Sequence, residues 1–122
     1  MVNFVVVGGR LTKEVELQKS KSGRTYCTFM LACNRPLYNN APAQVDYFYC
    51  IAWESVARYI KHSCSQGDVM IVTGKLQNVK KKDKPSDKDQ ITVTSIDRWA
   101  DNEEGKYHNL TEDDFVVTPE DF

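Results

Sequence analysis

Apolar and polar positions along the chain keep a period of two over most of its length and switch to a helical period once. VNFVVVGGRL, Val2 to Leu11, predicts a first strand in which Gly8 and Gly9 mark a bulge or a close backbone approach. VELQ, Val15 to Gln18, reads as its continuation past a bend. The segment KSKSG follows, and its Gly23 can take the positive φ that a hairpin needs. In RTYCTFMLACN, alternation puts Cys27, Phe29, Leu31 and Cys33 on one face, the expected core face, and Tyr26, Thr28, Met30, Ala32 and Asn34 on the other. RPLYNNAPAQ, with Pro36, Pro42, Asn39 and Asn40, predicts a loop.

The third long strand, VDYFYCIAW from Val45 to Trp53, is apolar or aromatic on both sides. Phe48, Cys50 and Ala52 have the character of a core face, which leaves Tyr47, Tyr49, Ile51 and Trp53 opposite it. In ESVARYIKHSCSQG the period changes: Val56, Tyr59, Ile60 and Cys64 recur at helical spacing and Gly67 is the expected stop. DVMIVTGKLQ returns to a strand, KKKDKPSDKDQ predicts a polar loop, and ITVTSIDRW is the last strand. Five strands with one helix after the third predict an all-β antiparallel barrel of the oligonucleotide/oligosaccharide-binding type, the OB-fold.

The length of 122 residues fits one folded domain with a core of its own. Apolar runs fall short of a membrane span, and the first residues lack the basic and cleavage-site pattern of a signal peptide, so a cytoplasmic protein is expected. Cys27, Cys33, Cys50 and Cys64 form no C-x-x-C pair, and His62 and Cys64 diverge on the expected helix. Reduced core thiols are the expectation, with no metal and no cofactor.

Net charge of −1 hides a split. Up to Trp99 there are 15 Lys or Arg against 9 Asp or Glu, a balance of +6; residues 100–122 carry one Lys against eight acids, a balance of −7. The expected organisation is a basic domain, residues 1–99, with a disordered acidic tail, residues 100–122.

Four ordered segments carry a resemblance. VVVGGRLTKEVEL resembles the VxLVGRLTxDPEL opening of bacterial and phage-type single-stranded DNA-binding proteins, and SGRTYCTFMLACNRP resembles their SGxxVAxFTLAVNRP. DYFYCIAW with its helix, then QGDVMIVTGKLQ, resemble DFxxCVxW, helix, and KGSxVxVxGRLQ. The chain departs from that pattern at Glu14-Val15, and at Leu37 and Lys81, where the family often has rings that stack bases.

Tyr47, Tyr49 and Trp53, joined by Tyr38, are the candidate stacking residues; Tyr47 and Trp53 align with stacking positions of the family and Tyr49 with a polar or basic one. Every base has a π-face, so stacking on rings is tolerant of sequence. Arg35, Lys75, Lys80, Lys81, Lys82 and Lys84 are the candidate phosphate partners, against the blander reading of a solvated loop broken by Asp83, Asp87 and Asp89. The resemblance implies a homotetramer, or alternatively a homodimer, paired through Val2 to Val7. It also implies docking of replication or recombination proteins by an acidic tip, here Pro119, Glu120, Asp121 and Phe122, with the proline displaced from its usual place. The expected role is non-enzymatic coating of single-stranded DNA in replication, recombination or repair, in the nucleoid or at the fork, or in a host cytoplasm if the source is a phage or mobile element. An OB-fold adaptor in a replication or primosome assembly is the alternative, kept open by Leu37 and Lys81. An enzyme has no phosphate-cradling Gly loop, metal spacing or nucleophile–base pair to support it.

Overall fold

The computed structural model describes residues 1–37, 39–81 and 84–100, without the side chains of 79–81, 84–88, 99 and 100. Among the described residues six strands and one helix follow in the order β1 (Val5–Leu11), β2 (Gln18–Lys19), β3 (Thr25–Asn34), β4 (Val45–Trp53), α1 (Glu54–Ser63), β5 (Val69–Lys81) and β6 (Lys84–Ala100). The sheet runs β1-β5-β6-β4-β3-β2, and β1 also pairs with β3, so the five long strands close into the expected OB-like barrel.

Closure depends on β1 changing partner. Val5 to Arg10 pair antiparallel with Gly74 to Val69, and Arg10 and Leu11 then pair with Ala32 and Leu31 of β3. The register with β5 continues through both glycines, so the first strand has no bulge against β5 there. The close approach is at Gly9, where a Cβ would stand 2.6 Å from Cys33 Sγ and 2.8 Å from the Ala32 carbonyl oxygen. Gly74 is tighter still: a Cβ there would run into the Thr92 carbonyl across a register shift between β5 and β6.

The barrel is not wholly antiparallel, because β4 and β6 meet in parallel at Cys50–Ile91 and Ile51–Thr92. VELQ does not extend the first strand. Val15 turns inward and is buried, Leu17 is exposed, and only Gln18 and Lys19 pair, with Tyr26 and Thr25 of β3. Gly23, at φ 84°, makes the turn between β2 and β3 as expected, its N–H donating to the Ser20 carbonyl at 2.9 Å. The lysine-rich segment is not a loop throughout: β5 and β6 continue as a hairpin to the pair Lys81–Lys84. Backbone hydrogen bonds of an antiparallel ladder do not depend on apolar side chains, so a polar sequence extends a hairpin that the barrel has already aligned.

The expected core face of β3 holds at Cys27, Phe29 and Leu31, buried beside Cys50, Ala52, Met70 and Val72, and breaks at the end of the strand, where Ala32 of the other face is buried and Cys33 is only half-buried. Phe48 departs from it, at 37% exposure. Parity puts Phe48 on the inner side, but among the described residues β4 is paired with β6 at Cys50 and Ile51 and not at Phe48. On α1, Ala57 and Ile60 are buried with Cys64 just beyond, whereas Tyr59 is exposed. At 100° per residue Tyr59 stands about 200° from Ala57, on the far side of the helix. Gly67 does not stop the helix, which ends at Ser63. It serves the turn into β5 at φ 91°, its N–H donating to the Leu11 carbonyl. No helix among the described residues is long and apolar enough to cross a membrane.

Candidate nucleic-acid interface

The outer face of β3 and β4 is a ladder of paired side chains. Register places Tyr26 opposite Trp53, Thr28 opposite Ile51, Met30 opposite Tyr49 and Ala32 opposite Tyr47. Partners in a pleated pair share a face, so these eight lie away from Cys27, Phe29, Leu31, Cys50 and Ala52. Along β4 the same-face positions are about 6.6–6.8 Å apart. A chain laid along β4 therefore meets Tyr47, Tyr49, Ile51 and Trp53 at a regular interval. Tyr49 is 41% exposed, and the other three are half-buried.

Trp53 is the most elaborated position. The Tyr26 ring lies 5.1 Å from it, centroid to centroid, at 37°. The Arg24 guanidinium carbon stands 4.4 Å from the Trp53 ring centroid. The next residue, Glu54, has φ 50° and opens α1; its carboxylate takes Arg24 Nε at 3.7 Å and Arg58 Nη1 at 3.2 Å. A side chain with a Cβ is strained in this left-handed region, and the strand-to-helix junction holds Glu54 there.

The basic candidates separate. Lys75 is exposed and pairs with Thr92, which lies beside Ile51, so Lys75 stands two strands from the ring-bearing strand in the same row. Arg35 is engaged within the chain. Its Nε and Nη2 donate to the two Asp46 carboxylate oxygens at 2.8 Å each, and Nη1 donates to Gln44 Oε1 at 2.6 Å. The hydrogen bond from Arg35 holds the Asp46 carboxyl below its ordinary range. Arg35 reaches a phosphate only by sharing or exchanging that carboxylate. Lys80, Lys81 and Lys84 have backbone positions at the end of the β5–β6 hairpin, but their side chains lie outside the described residues, as do Tyr38, Lys82 and the tail with Pro119, Glu120, Asp121 and Phe122. Leu37, where the resemblance expects a ring, is 69% exposed.

None of the four thiols is in a disulfide. Burial pushes Cys27 and Cys33 up to about 11 and Cys50 up to about 12, and raises Cys64 as well. They stay protonated near neutral pH and take the core role expected of them; half-buried Cys33 donates to the Gly8 carbonyl at 3.0 Å.

Sequence reasoning passed over Tyr26 and Arg24. Tyr26 had a signal, since alternation places it on the non-core face of its strand. Arg24 had none, because its contact with Trp53 depends on the β3–β4 register and the turn at Gly23.

A model of the family described as "Single-strand binding protein family" matches residues 2–108. The chain is 37% identical over 78 residues to a "Single-stranded DNA-binding protein 3" of Listeria innocua, covering 63% of this chain and 49% of that protein. It is 36% identical over 78 residues to the "Single-stranded DNA-binding protein" of Enterococcus faecalis, covering 63% and 42%. It is 29% identical over 107 residues to a "Single-stranded DNA-binding protein 1" of Lactococcus lactis, covering 87% and 71%. The chain spans about half the length of the first of these relatives.

Proposed function

The chain belongs to the single-strand binding protein family, and from that premise we propose that it binds single-stranded DNA without sequence preference and without catalysis, coating it in replication, recombination or repair. The observation that carries the reading is the row of Tyr47, Tyr49, Ile51 and Trp53 on the outer face of β4, backed by Tyr26. These side chains are not used by the core, and their regular spacing suits stacking of successive bases. Phosphate charge is met by Lys75 and by the lysines at the end of the β5–β6 hairpin. Arg35 joins them where its carboxylate partner can be shared.

Tryptophan emission of the full chain, titrated with a homopyrimidine oligonucleotide and with a duplex of equal length, tests this. Quenching by the single strand, weakened by salt, is expected, with much weaker binding of the duplex. Absence of single-strand binding would leave the OB-fold adaptor role in a replication assembly.

Assembly and partner recruitment extend the proposal. Val5 to Val7 have no neighbouring strand on their second edge among the described residues, and Val2, Phe4 and Val6 are exposed beside it. An apolar open edge suits a second copy of the chain, giving a dimer and, by further association, a tetramer. Light scattering that shows only a 14.0 kDa monomer at micromolar concentration refutes this. The acidic segment with Pro119, Glu120, Asp121 and Phe122 is proposed to dock replication or recombination enzymes through an apolar pocket rimmed by Arg or Lys.

A further inference from the structure

We propose that Arg24 is an exchangeable cover on Trp53: an incoming base takes the place of the guanidinium on the indole, and the displaced Arg24 turns to the adjacent phosphate. This rests on the single-strand-binding reading above and adds a residue and a step to it.

Three features converge at the end of β4. The Arg24 guanidinium stands over the indole, the best of the ring types for holding a cation, at 4.4 Å. Tyr26 flanks the same ring at 5.1 Å and 37°, so Trp53 already has one aromatic neighbour within the protein, and the guanidinium is the cover that a base must displace to stack where it stands. Glu54 holds both Arg24 and Arg58 on one carboxylate, at 3.7 and 3.2 Å.

None of these holds Arg24 firmly. Its side chain is 55% exposed and that of Glu54 43% exposed, and exposed ion pairs of this length contribute little. Ring stacking by a base is the stronger contact, by the alanine-substitution scale, than an exposed cation over a ring. A base therefore displaces the guanidinium rather than the reverse. A strand carrying a base onto Trp53 brings a phosphate within the reach of a side chain that already touches the ring. Guanidinium geometry suits a phosphate at least as well as the single oxygen of Glu54 that Arg24 now approaches. Arg58 stays on Glu54 and keeps that carboxylate from repelling the strand. In the free protein the cover keeps the half-buried indole from presenting an open apolar face.

The test uses the full chain with Trp99→Phe, so that Trp53 alone reports, combined with Arg24→Lys or Arg24→Ala. Two quantities are read: quenching of Trp53 by acrylamide with and without oligo-dT, and the slope of log affinity for oligo-dT against log salt. Circular dichroism checks that each variant is folded. In the free protein acrylamide quenching should rise in both variants, because neither side chain is a planar cover. With oligo-dT bound, all three proteins should be protected to the same degree, because the base has replaced the cover. The salt slope should stay at the parent value in Arg24→Lys, which keeps the charge, and fall by about 0.7 in Arg24→Ala, the value of one phosphate contact on a single strand.

A slope that falls without any change in quenching of the free protein makes Arg24 a plain phosphate contact and overturns the exchange. An Arg24→Ala slope equal to the parent's overturns the transfer to phosphate. Greater exposure of Trp53 in the bound variants than in the bound parent shows that Arg24 stays on the ring, and also overturns the exchange. Failure of the unsubstituted protein itself to bind oligo-dT overturns the single-strand-binding reading, and this inference with it.

Discussion

Replacing Trp53 by alanine separates what the ring does for the fold from what it does for DNA. The folded protein loses the Tyr26 pair at 5.1 Å, a contact class of about 0.5–1.5 kcal/mol, and the exposed Arg24 cover, about 0.5–1 kcal/mol. These contacts come to about 1–2.5 kcal/mol, and losing the area that the half-buried ring covers adds about 1–1.5 kcal/mol, a total still within the stability of an ordinary domain, about 5–15 kcal/mol, so the variant should remain folded. Binding should lose the base stack, about 1–3 kcal/mol, which is a roughly 5- to 150-fold weaker Kd. Because the substitution removes the fluorophore, affinity is read by anisotropy of a labelled oligo-dT, and stability by urea unfolding followed by circular dichroism. Two companions control the inference. Trp53→Phe keeps a π-face and should recover most of the affinity, while Tyr26→Ala should lower stability by a similar step with a smaller effect on Kd. A folded Trp53→Ala protein with the parent Kd refutes the argument and returns Trp53 to a packing role.

Replacing Lys80, Lys81 and Lys82 together should flatten the salt slope of oligo-dT binding by up to about two units, at about 0.7 per phosphate; an unchanged slope makes this run of lysines a solvated segment without a part in binding. Deleting Asp101 to Phe122 removes the −7 segment apart from Ala100, which should tighten DNA binding most at low salt, where screening is weak. Equal affinity at all salt concentrations removes the tail from competition for the basic face. Asp46 titrates below its ordinary range because Arg35 hydrogen-bonds it, so the contact stabilises above the unfolded carboxyl pKa and is lost as pH falls through the lower, folded value. Arg35→Ala should move the Asp46 midpoint up in an NMR titration, and an unmoved midpoint removes Arg35 as the cause. Gly74→Ala should cost about 1–3 kcal/mol in urea unfolding, because its Cβ would overlap the Thr92 carbonyl, which backbone pairing prevents from retreating; an unchanged midpoint means that the β5–β6 bulge gives way.

Local chemistry was legible in the chain itself. A period of two assigned Cys27, Phe29 and Leu31 to the core and Tyr26 to the opposite face; Gly23 marked the turn with positive φ; and the change to a helical period located α1 after Trp53. The basic body and acidic tail were a matter of counting. These features depend on the pleat, on helix geometry and on charge, all of which act between near neighbours in sequence.

What the tertiary structure decided was which segments stand opposite one another and where the core ends. Alternation put Phe48 inside, but in the folded barrel it is exposed; helical spacing included Tyr59, but the face that packs on the barrel is that of Ala57 and Ile60. The change of partner by β1, the approach at Gly9, the carboxylate grip on Arg35 and the guanidinium over Trp53 all arise between residues brought together only by strand register. Periodicity specifies one of two faces for each side chain and is silent on its cross-strand partner, because register is set by barrel closure and turn geometry acting on the whole sheet at once.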